Sequence, residues 1–446
     1  MLIALAAQMA VLTPARAQES TSDEFVERRA RVMLELDDGI LLLHARTAEK
    51  AMEQWGFIQD ASFLYFSGLP NLAGAILALD GPRQQARLFV PPAPFSFGVQ
   101  VEGSGIETGP RSAIEHGFAA VEPWDRFVPW LRSRMAEAAD RIYLDGSRRP
   151  ESTGAPPGMR PVAGDRTLWR EAVEEAFPDI TIVSARTAIQ RLRWAKSASE
   201  VEILTRNAQA TVSAIQAVAE ELSPGMTQRE AESVVAAACV RAGAQGPSFW
   251  PWTMSGPNAH TGQLVRAFFQ YGHLNRTMRA TELVRVDIGC AGGWYGADVG
   301  RTLPVDGRFG PGQREAWNLL IAGYRAGLQA IKADVTLEQV RQASVDEITR
   351  LQPGLLTDQG QKAARVLLSR GTGAWHIHGV GIESGEEAVD PLADGAVIAY
   401  EPTIEVGPDA FYLEDMILVT ETGHRVLSAG LPYTAEDIER MIASGR

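Results

Sequence analysis

Two stretches of this chain set carboxylates inside apolar, strand-like runs, and that placement restricts the possible folds more than any other feature. The first is LVRVDIGCAGGWYGADVGRTL, residues 283–303, which carries Asp287 and Asp298. The second is VIAYEPTIEVGPDAFYLEDMILVT, residues 397–420, which carries Glu401 and Glu414. A hairpin centred on Gly292-Gly293 sets Asp287 opposite Asp298, and one centred on Gly407-Pro408 sets Glu401 opposite Glu414. Cross-strand neighbours have Cβ atoms about 5 Å apart. Two ionised carboxylates that close repel, and burial adds to the cost. A shared proton or a cation has to offset it. Glu405 and Asp409, in the same run, read as solvent-facing strand residues.

A third element, Trp375-His376-Ile377-His378-Gly379-Val380-Gly381, is weak evidence alone, because such histidines are more often hydrogen-bonded core residues. Beside two carboxylate pairs it offers the imidazole of an oxygen-rich site. Four carboxylates and one histidine suit two divalent cations about 3.5–4 Å apart with a bridging water. Such donors favour Mn²⁺, with Mg²⁺, Co²⁺ or Zn²⁺ as alternatives, over copper or iron–sulfur.

Charge and composition narrow the function classes. With 42 basic and 55 acidic side chains among 446 residues the net charge is −13, which argues against a nucleic-acid binder. The two cysteines, Cys239 and Cys290, are too few for a disulfide framework and read as buried small hydrophobes. Leu2–Leu12 is apolar but too short to span a bilayer, and it runs into Ala15-Arg16-Ala17 followed by polar residues. Residues 1–17 therefore read as a secretory leader, with a periplasmic or secreted destination, or a cytoplasmic one if the segment stays on the chain. No other window approaches the length of a membrane span.

The length favours two domains. Helical spacing over residues 23–36 precedes strand-like runs at Ile40–His44, Phe63–Phe66, Ala75–Leu79 and Leu88–Val90. That alternation suggests an α/β unit over residues 22–185, with Gly146–Asp165 as a Gly/Pro/Arg-rich loop. The second unit, residues 190–446, opens with a long helix from Ser199 to Leu222. Thr227 with Glu230, and Thr336 with Gln339, are capping-box signals for two further helices. Helices and strand pairs come in a similar order on both sides of residue 310, which permits a duplicated α+β architecture.

On these motifs the chain resembles the aminopeptidase P and prolidase family, within the creatinase–methionine aminopeptidase superfamily. DASFLYFSGLPNLAGAILAL is similar to the family's N-terminal domain, and LRWAKSASEVEILTRNAQ to the entry helix of its catalytic domain. VDIGCAGGWYGADVGRT, IHGVGIE, AYEPTIEV and YLEDMILVT resemble its ligand motifs. The resemblance implies a creatinase/prolidase-type N-domain followed by a pita-bread metallopeptidase domain. It implies Asp287, Asp298, His378, Glu401 and Glu414 as dinuclear metal ligands, with Asp298 and Glu414 bridging and Glu401 shuttling the proton of the attacking water. It further implies short peptides with proline at the second position as substrates, and a homodimer or larger oligomer.

The departures from the family pattern are equally specific. Ala374, Gly385 and Gln270 stand where the family has histidines, and Tyr412 where some members have arginine. His260, His273 and His376 are the candidates to replace the missing imidazoles. Trp252, in the aromatic cluster Phe249-Trp250-Pro251-Trp252, and Tyr412 are candidate substrate-binding residues. The competing expectation is a degenerate metal-binding homologue, or a non-peptidase hydrolase or lyase on the same fold.

Overall fold

The computed structural model describes residues 22–47, 58–92, 95–96, 99–100, 106–137, 141–146 and 165–445. The leader at 1–17 and nearly all of the 146–165 loop lie outside those residues.

The N-terminal half is a six-stranded mixed sheet. Its strands lie in the order Ala120–Pro123, Gln85–Val90, Ile76–Asp80, Ile40–His44, Arg141–Leu144, Thr181–Ser184. Ile40–His44 pairs antiparallel with Ile76–Asp80 and parallel with Arg141–Leu144. Its ILLL run is apolar at every position because both faces are covered. Leu41 and Leu43 pack with Phe63 and Phe66 on one side, Ile40 and Leu42 with Phe127 and Leu131 on the other.

Phe63–Phe66 is not a strand. It lies within a helix, Ala61–Ser67, whose N-terminus is capped by the Asp60 side chain and whose end is Gly68 at φ 69°. All seven helical residues are buried, so no polar face marks the helical period; the Asp60 cap and the terminal Gly68 are the sequence signals that mark this helix.

The C-terminal half opens with Ala198–Glu221, fixed by a capping box between Ser197 and Glu200. The boxes at Thr227 and Thr336 are also formed, starting Gln228–Arg241 and Leu337–Leu351. Trp252–Ser255, Leu283–Ile288 and Val299–Pro304 make one antiparallel sheet. Trp375–Gly379, Val397–Val406, Asp409–Tyr412, Asp415–Thr420 and Gly423–Val426 make a second. The two meet at a bridge in which Gly300 and Glu414 exchange backbone hydrogen bonds of 2.9 and 3.1 Å. The main core of this half joins the entry helix (Ile203, Leu204) to both sheets (Val286, Ile398, Ile417) and to Trp317 and Tyr324 of Pro311–Ala330, and a smaller cluster gathers Trp252, Met254, Ala267 and Leu274.

Three further expectations need correction. The first hairpin turns at Gly293-Trp294, not Gly292-Gly293: both central residues have positive φ, 59° and 69°, and Gly292 and Tyr295 exchange backbone hydrogen bonds. This is the φ pattern of a type I′ turn. Asp287 therefore lies opposite Gly300, and Asp298 is its diagonal neighbour. Cys239 and Cys290 form a disulfide that ties the helix Gln228–Arg241 to the short strand Cys290–Ala291. Their separation of 51 residues conceals a contact that only the fold creates. Asp409 is buried rather than solvent-facing, because Gln313 and Gln359 donate to its two oxygens at 3.0 and 2.7 Å.

Candidate metal centre

The second hairpin has the register read from its sequence. Thr403 pairs with Tyr412 and Tyr400 with Asp415, so Glu401 and Glu414 face each other across a short break in the ladder. Gly407 takes φ 61° at the first turn position, and proline's locked negative φ suits the second position of a type II′ turn. His378 comes from the neighbouring strand, where His376 pairs with Glu401 and His378 with Ala399.

These elements converge on one buried point. His378 Nε2 lies 3.4 Å from Glu401 Oε1, 3.4 Å from Glu414 Oε1 and 3.9 Å from Asp298 Oδ2. Its Nδ1 lies 2.9 Å from the Gly379 carbonyl, and donating there turns the Nε2 lone pair toward the carboxylates. Asp287 joins from the first sheet, with Arg285 Nη2 donating to its Oδ2 at 2.7 Å. Arg285 was not singled out from sequence. Its signal was a lone guanidinium in an apolar strand, two residues from Asp287 and on the same face.

Electrostatics show how strained this gathering of charge is. Burial pushes the Asp298 carboxyl well above its ordinary range, and the nearby Glu414, Asp287 and Glu401 push the same way. Burial with Glu414 and Glu401 drives Asp287 up to about 7, against the pull of Arg285. Burial opposes charge on both His378 and Glu401. Even so, the carboxylates at Nε2 hold His378 well above the usual imidazole range, while His376 and His378 hold Glu401 well below the carboxylate range.

The donor set fits a divalent cation on a structural test. Asp298 Oδ1 and Glu414 Oε1 are buried with no hydrogen-bond partner. Orphaned buried oxygens are costly and call for an occupant. Donor atoms of Asp298, His378 and Glu414 lie within 4.8 Å of one another, as do those of His376, His378 and Glu401.

The remaining candidates separate. His376 Nδ1 contacts Glu401 Oε1, with the imidazole about half exposed. His260 lies against Glu405 and the Pro408 carbonyl at the hairpin tip instead of among the carboxylates. The side chain of His273 lies outside the described residues. The Tyr412 hydroxyl stands 2.9 Å from Glu401 Oε2 and 2.6 Å from Glu414 Oε2. Trp252 pairs with Asp287 across the sheet.

Trp252 also lines a cavity of about 630 Å³ whose apolar wall is Phe249, Trp250, Leu264 and Ala267, and whose floor includes Asp287, Asp298 and Glu401. Gly385 lies on its rim and also lines a cleft between the two halves, near Asp145, Arg166 and Arg193. Ala374 is buried in the turn ahead of Trp375. Gln270 sits at a kink in Thr261–Leu274, where Arg266 Nε donates to it at 2.7 Å.

Comparison with known proteins covers nearly the whole chain. Residues 202–421 match the model of metallopeptidase family M24, and residues 25–143 match that of the aminopeptidase P N-terminal domain. A Xaa-Pro aminopeptidase of Haemophilus influenzae is 26% identical over 94% of this chain and 97% of its own length. The Xaa-Pro aminopeptidase of Escherichia coli is 27% identical over 60% of this chain and 63% of its own. In fold, the chain is similar to aminopeptidase P from E. coli in complex with the inhibitor Pro-Leu. The TM-score is 0.74 at 21% identity, over 96% of this chain and 100% of that one. It is likewise similar to proline aminopeptidase P II from Yersinia pestis, with TM-score 0.75 at 21% identity over 95% and 100%.

Proposed function

Because the chain belongs to the aminopeptidase P family of M24 metallopeptidases, we propose that it is a metal-dependent hydrolase that cleaves Xaa-Pro bonds at the amino terminus of short peptides. The observation that carries this is the pair of orphaned oxygens, Asp298 Oδ1 and Glu414 Oε1, beside His378. Asp287, Asp298, His378, Glu401 and Glu414 are the residues we assign to hold two divalent ions. When bound, such ions supply Lewis-acid polarisation of the scissile carbonyl and an acidified water.

The protein's own groups supply the rest. Glu401, kept ionised by its two histidine neighbours, is the base that accepts the water's proton at Oε1. His376 Nδ1 lies against that oxygen and reaches solvent, so it is suited to carry the proton toward the leaving proline nitrogen. The wall of Phe249, Trp252 and Leu264 presents an apolar surface of the kind a proline ring needs. A degenerate homologue is not favoured, since the family match is to metallopeptidases and the similar relatives are Xaa-Pro aminopeptidases.

Manganese is the proposed metal on the strength of the oxygen-rich donor set, with Zn²⁺ or Co²⁺ as alternatives. Export to the periplasm or beyond is supported by the Cys239–Cys290 disulfide, since such bonds persist in oxidising compartments. A homodimer or larger assembly completes the proposal, and light scattering on the purified chain tests it. Among the described residues no helix is long and apolar enough to cross a membrane.

The decisive experiment strips metal from the purified chain and assays Xaa-Pro dipeptides and tripeptides with Mn²⁺, Co²⁺ or Zn²⁺ restored. Metal-dependent release of the amino-terminal residue is expected. No release from any Xaa-Pro peptide overturns the proposal.

A further inference from the structure

Tyr412 and Arg285 come from different strands, Asp409–Tyr412 and Leu283–Ile288, yet they are stacked. The Arg285 guanidinium carbon lies 3.6 Å from the centroid of the Tyr412 ring. Both side chains are buried, at 5% and 1% exposure. Arg285 also grips Asp287 Oδ2 through Nη2 at 2.7 Å and Nε at 3.2 Å. At the edge of the ring, the Tyr412 hydroxyl meets Glu401 Oε2 and Glu414 Oε2. The tyrosine backbone is itself pinned, its N–H donating to Thr302 Oγ1 at 2.7 Å and its carbonyl accepting from the same hydroxyl at 3.0 Å.

The pattern of occupied oxygens is the telling feature. Asp287 Oδ2, Glu401 Oε2 and Glu414 Oε2 are each held by Arg285 or Tyr412. The opposite oxygens of the two glutamates, both Oε1, turn to His378 Nε2 at 3.4 Å. Glu414 is thus tied by Oε2 and presents an unpartnered Oε1, while Glu401, tied by Oε2, shares its Oε1 between His376 and His378. A planar guanidinium stacked on an aromatic face fixes the ring and, through its hydroxyl, the two carboxylates.

We propose that Arg285 and Tyr412, which both also line the cavity beside Trp252, act as one positioning unit that sets Asp287, Glu401 and Glu414 for metal binding, so that Tyr412 acts on the reaction through the metal site. The proposal rests on the metal-site reading above. Outer partners of metal ligands are typically worth 10–100-fold in metal affinity.

The test uses the full chain, stripped of metal and titrated with Mn²⁺ alone. Tyr412→Phe keeps the ring and removes the hydroxyl. It is expected to weaken Mn²⁺ binding about 10–100-fold, with the turnover deficit greatest at limiting Mn²⁺ and KM for an Xaa-Pro peptide little changed at saturating Mn²⁺. Arg285→Lys keeps the charge but loses the fork and the stack, and it is expected to weaken Mn²⁺ binding too. If the two form one unit, the double variant binds Mn²⁺ no worse than the weaker single variant.

Unchanged Mn²⁺ affinity in Tyr412→Phe, or a raised KM at saturating Mn²⁺ with affinity intact, overturns the proposal. Strictly additive losses in the double variant overturn it as well. Should Tyr412→Phe fail to fold, judged by its melting curve, the Mn²⁺ affinity of Arg285→Lys decides alone. A wild-type chain that takes up no metal defeats the metal-site reading itself, and is distinguished by that wild-type titration.

Discussion

Glu414 Oε1 lies 3.4 Å from His378 Nε2 and has no hydrogen-bond partner, while its other oxygen is 2.6 Å from the Tyr412 hydroxyl. An oxygen buried in this way costs free energy unless a proton or a cation satisfies it. Asp298→Ala, which removes the other orphaned carboxylate, should abolish both metal uptake and peptidase activity. Elemental analysis of the purified variant checks this, and two metals per chain would show the ligand assignment to be wrong.

His376 reaches Glu401 from the solvent side. Burial opposes the charge on Glu401, and His376 is among the groups that hold its pKa down. Removing the imidazole by His376→Ala should raise that pKa, so the acidic limb of the kcat/KM profile should move to higher pH. A loss of about 100-fold in kcat is expected for a lost proton carrier. A profile identical to wild type would remove His376 from the chemistry.

Gly385 has no neighbouring atom within 4 Å of where a Cβ would sit, and it lines the cavity that holds Asp287 and Glu401. Gly385→His is therefore expected to be accommodated and to raise kcat, by roughly tenfold for an added proton-transfer group. Gly385→Ala is the control. Equal rates for the two variants would show that an imidazole there does nothing.

The Cys239–Cys290 bridge closes a loop with a sequence separation of 51. Closing a loop of that length removes chain entropy worth about 4 kcal/mol from the unfolded state. Reduction, or Cys239→Ser, should lower the melting temperature measurably. Identical melting with and without reductant would contradict this.

Glu386 gives stability its pH dependence. Burial opposes its charge, but Arg193 at 2.6 Å and Lys196 at 2.8 Å hold its pKa at about 2, against an ordinary value of 4.5. A depressed carboxylate stabilises the fold above the unfolded pKa and loses that stabilisation as pH falls through the folded one. Between pH 5 and pH 2 the loss should approach roughly 3 kcal/mol. Urea midpoints across that range should fall steeply for wild type. Glu386→Gln should be less stable at pH 7 and flatter, and parallel curves would refute the assignment.

Much of the site was legible because its geometry is local. Glu401 faces Glu414 because Gly407 can take positive φ and Pro408 cannot oppose it. The first hairpin defeated the same logic. A tryptophan, Trp294, takes φ 69°, a conformation bulky residues seldom adopt, so the Gly-Gly pair pointed one residue too early. Asp409, Arg285 and the disulfide were hidden for a different reason. Their partners, Gln313 and Gln359, Tyr412, and Cys239, lie far away in sequence and meet them only through packing of the whole domain. The helix Ala61–Ser67 was concealed by total burial, which erases the polar face on which periodicity depends.

Gly300 has one more consequence. A Cβ built on it would lie 2.1 Å from Cε1 of Tyr412, so the aromatic ring occupies the space of the missing side chain. Any larger residue at 300 is tolerable only after position 412 has become smaller. The two positions are therefore coupled in order: a descendant of this chain that exchanges its tyrosine first can then enlarge its glycine freely, whereas the reverse order passes through an intermediate whose Tyr412 ring must leave its place beside the Gly300–Glu414 bridge.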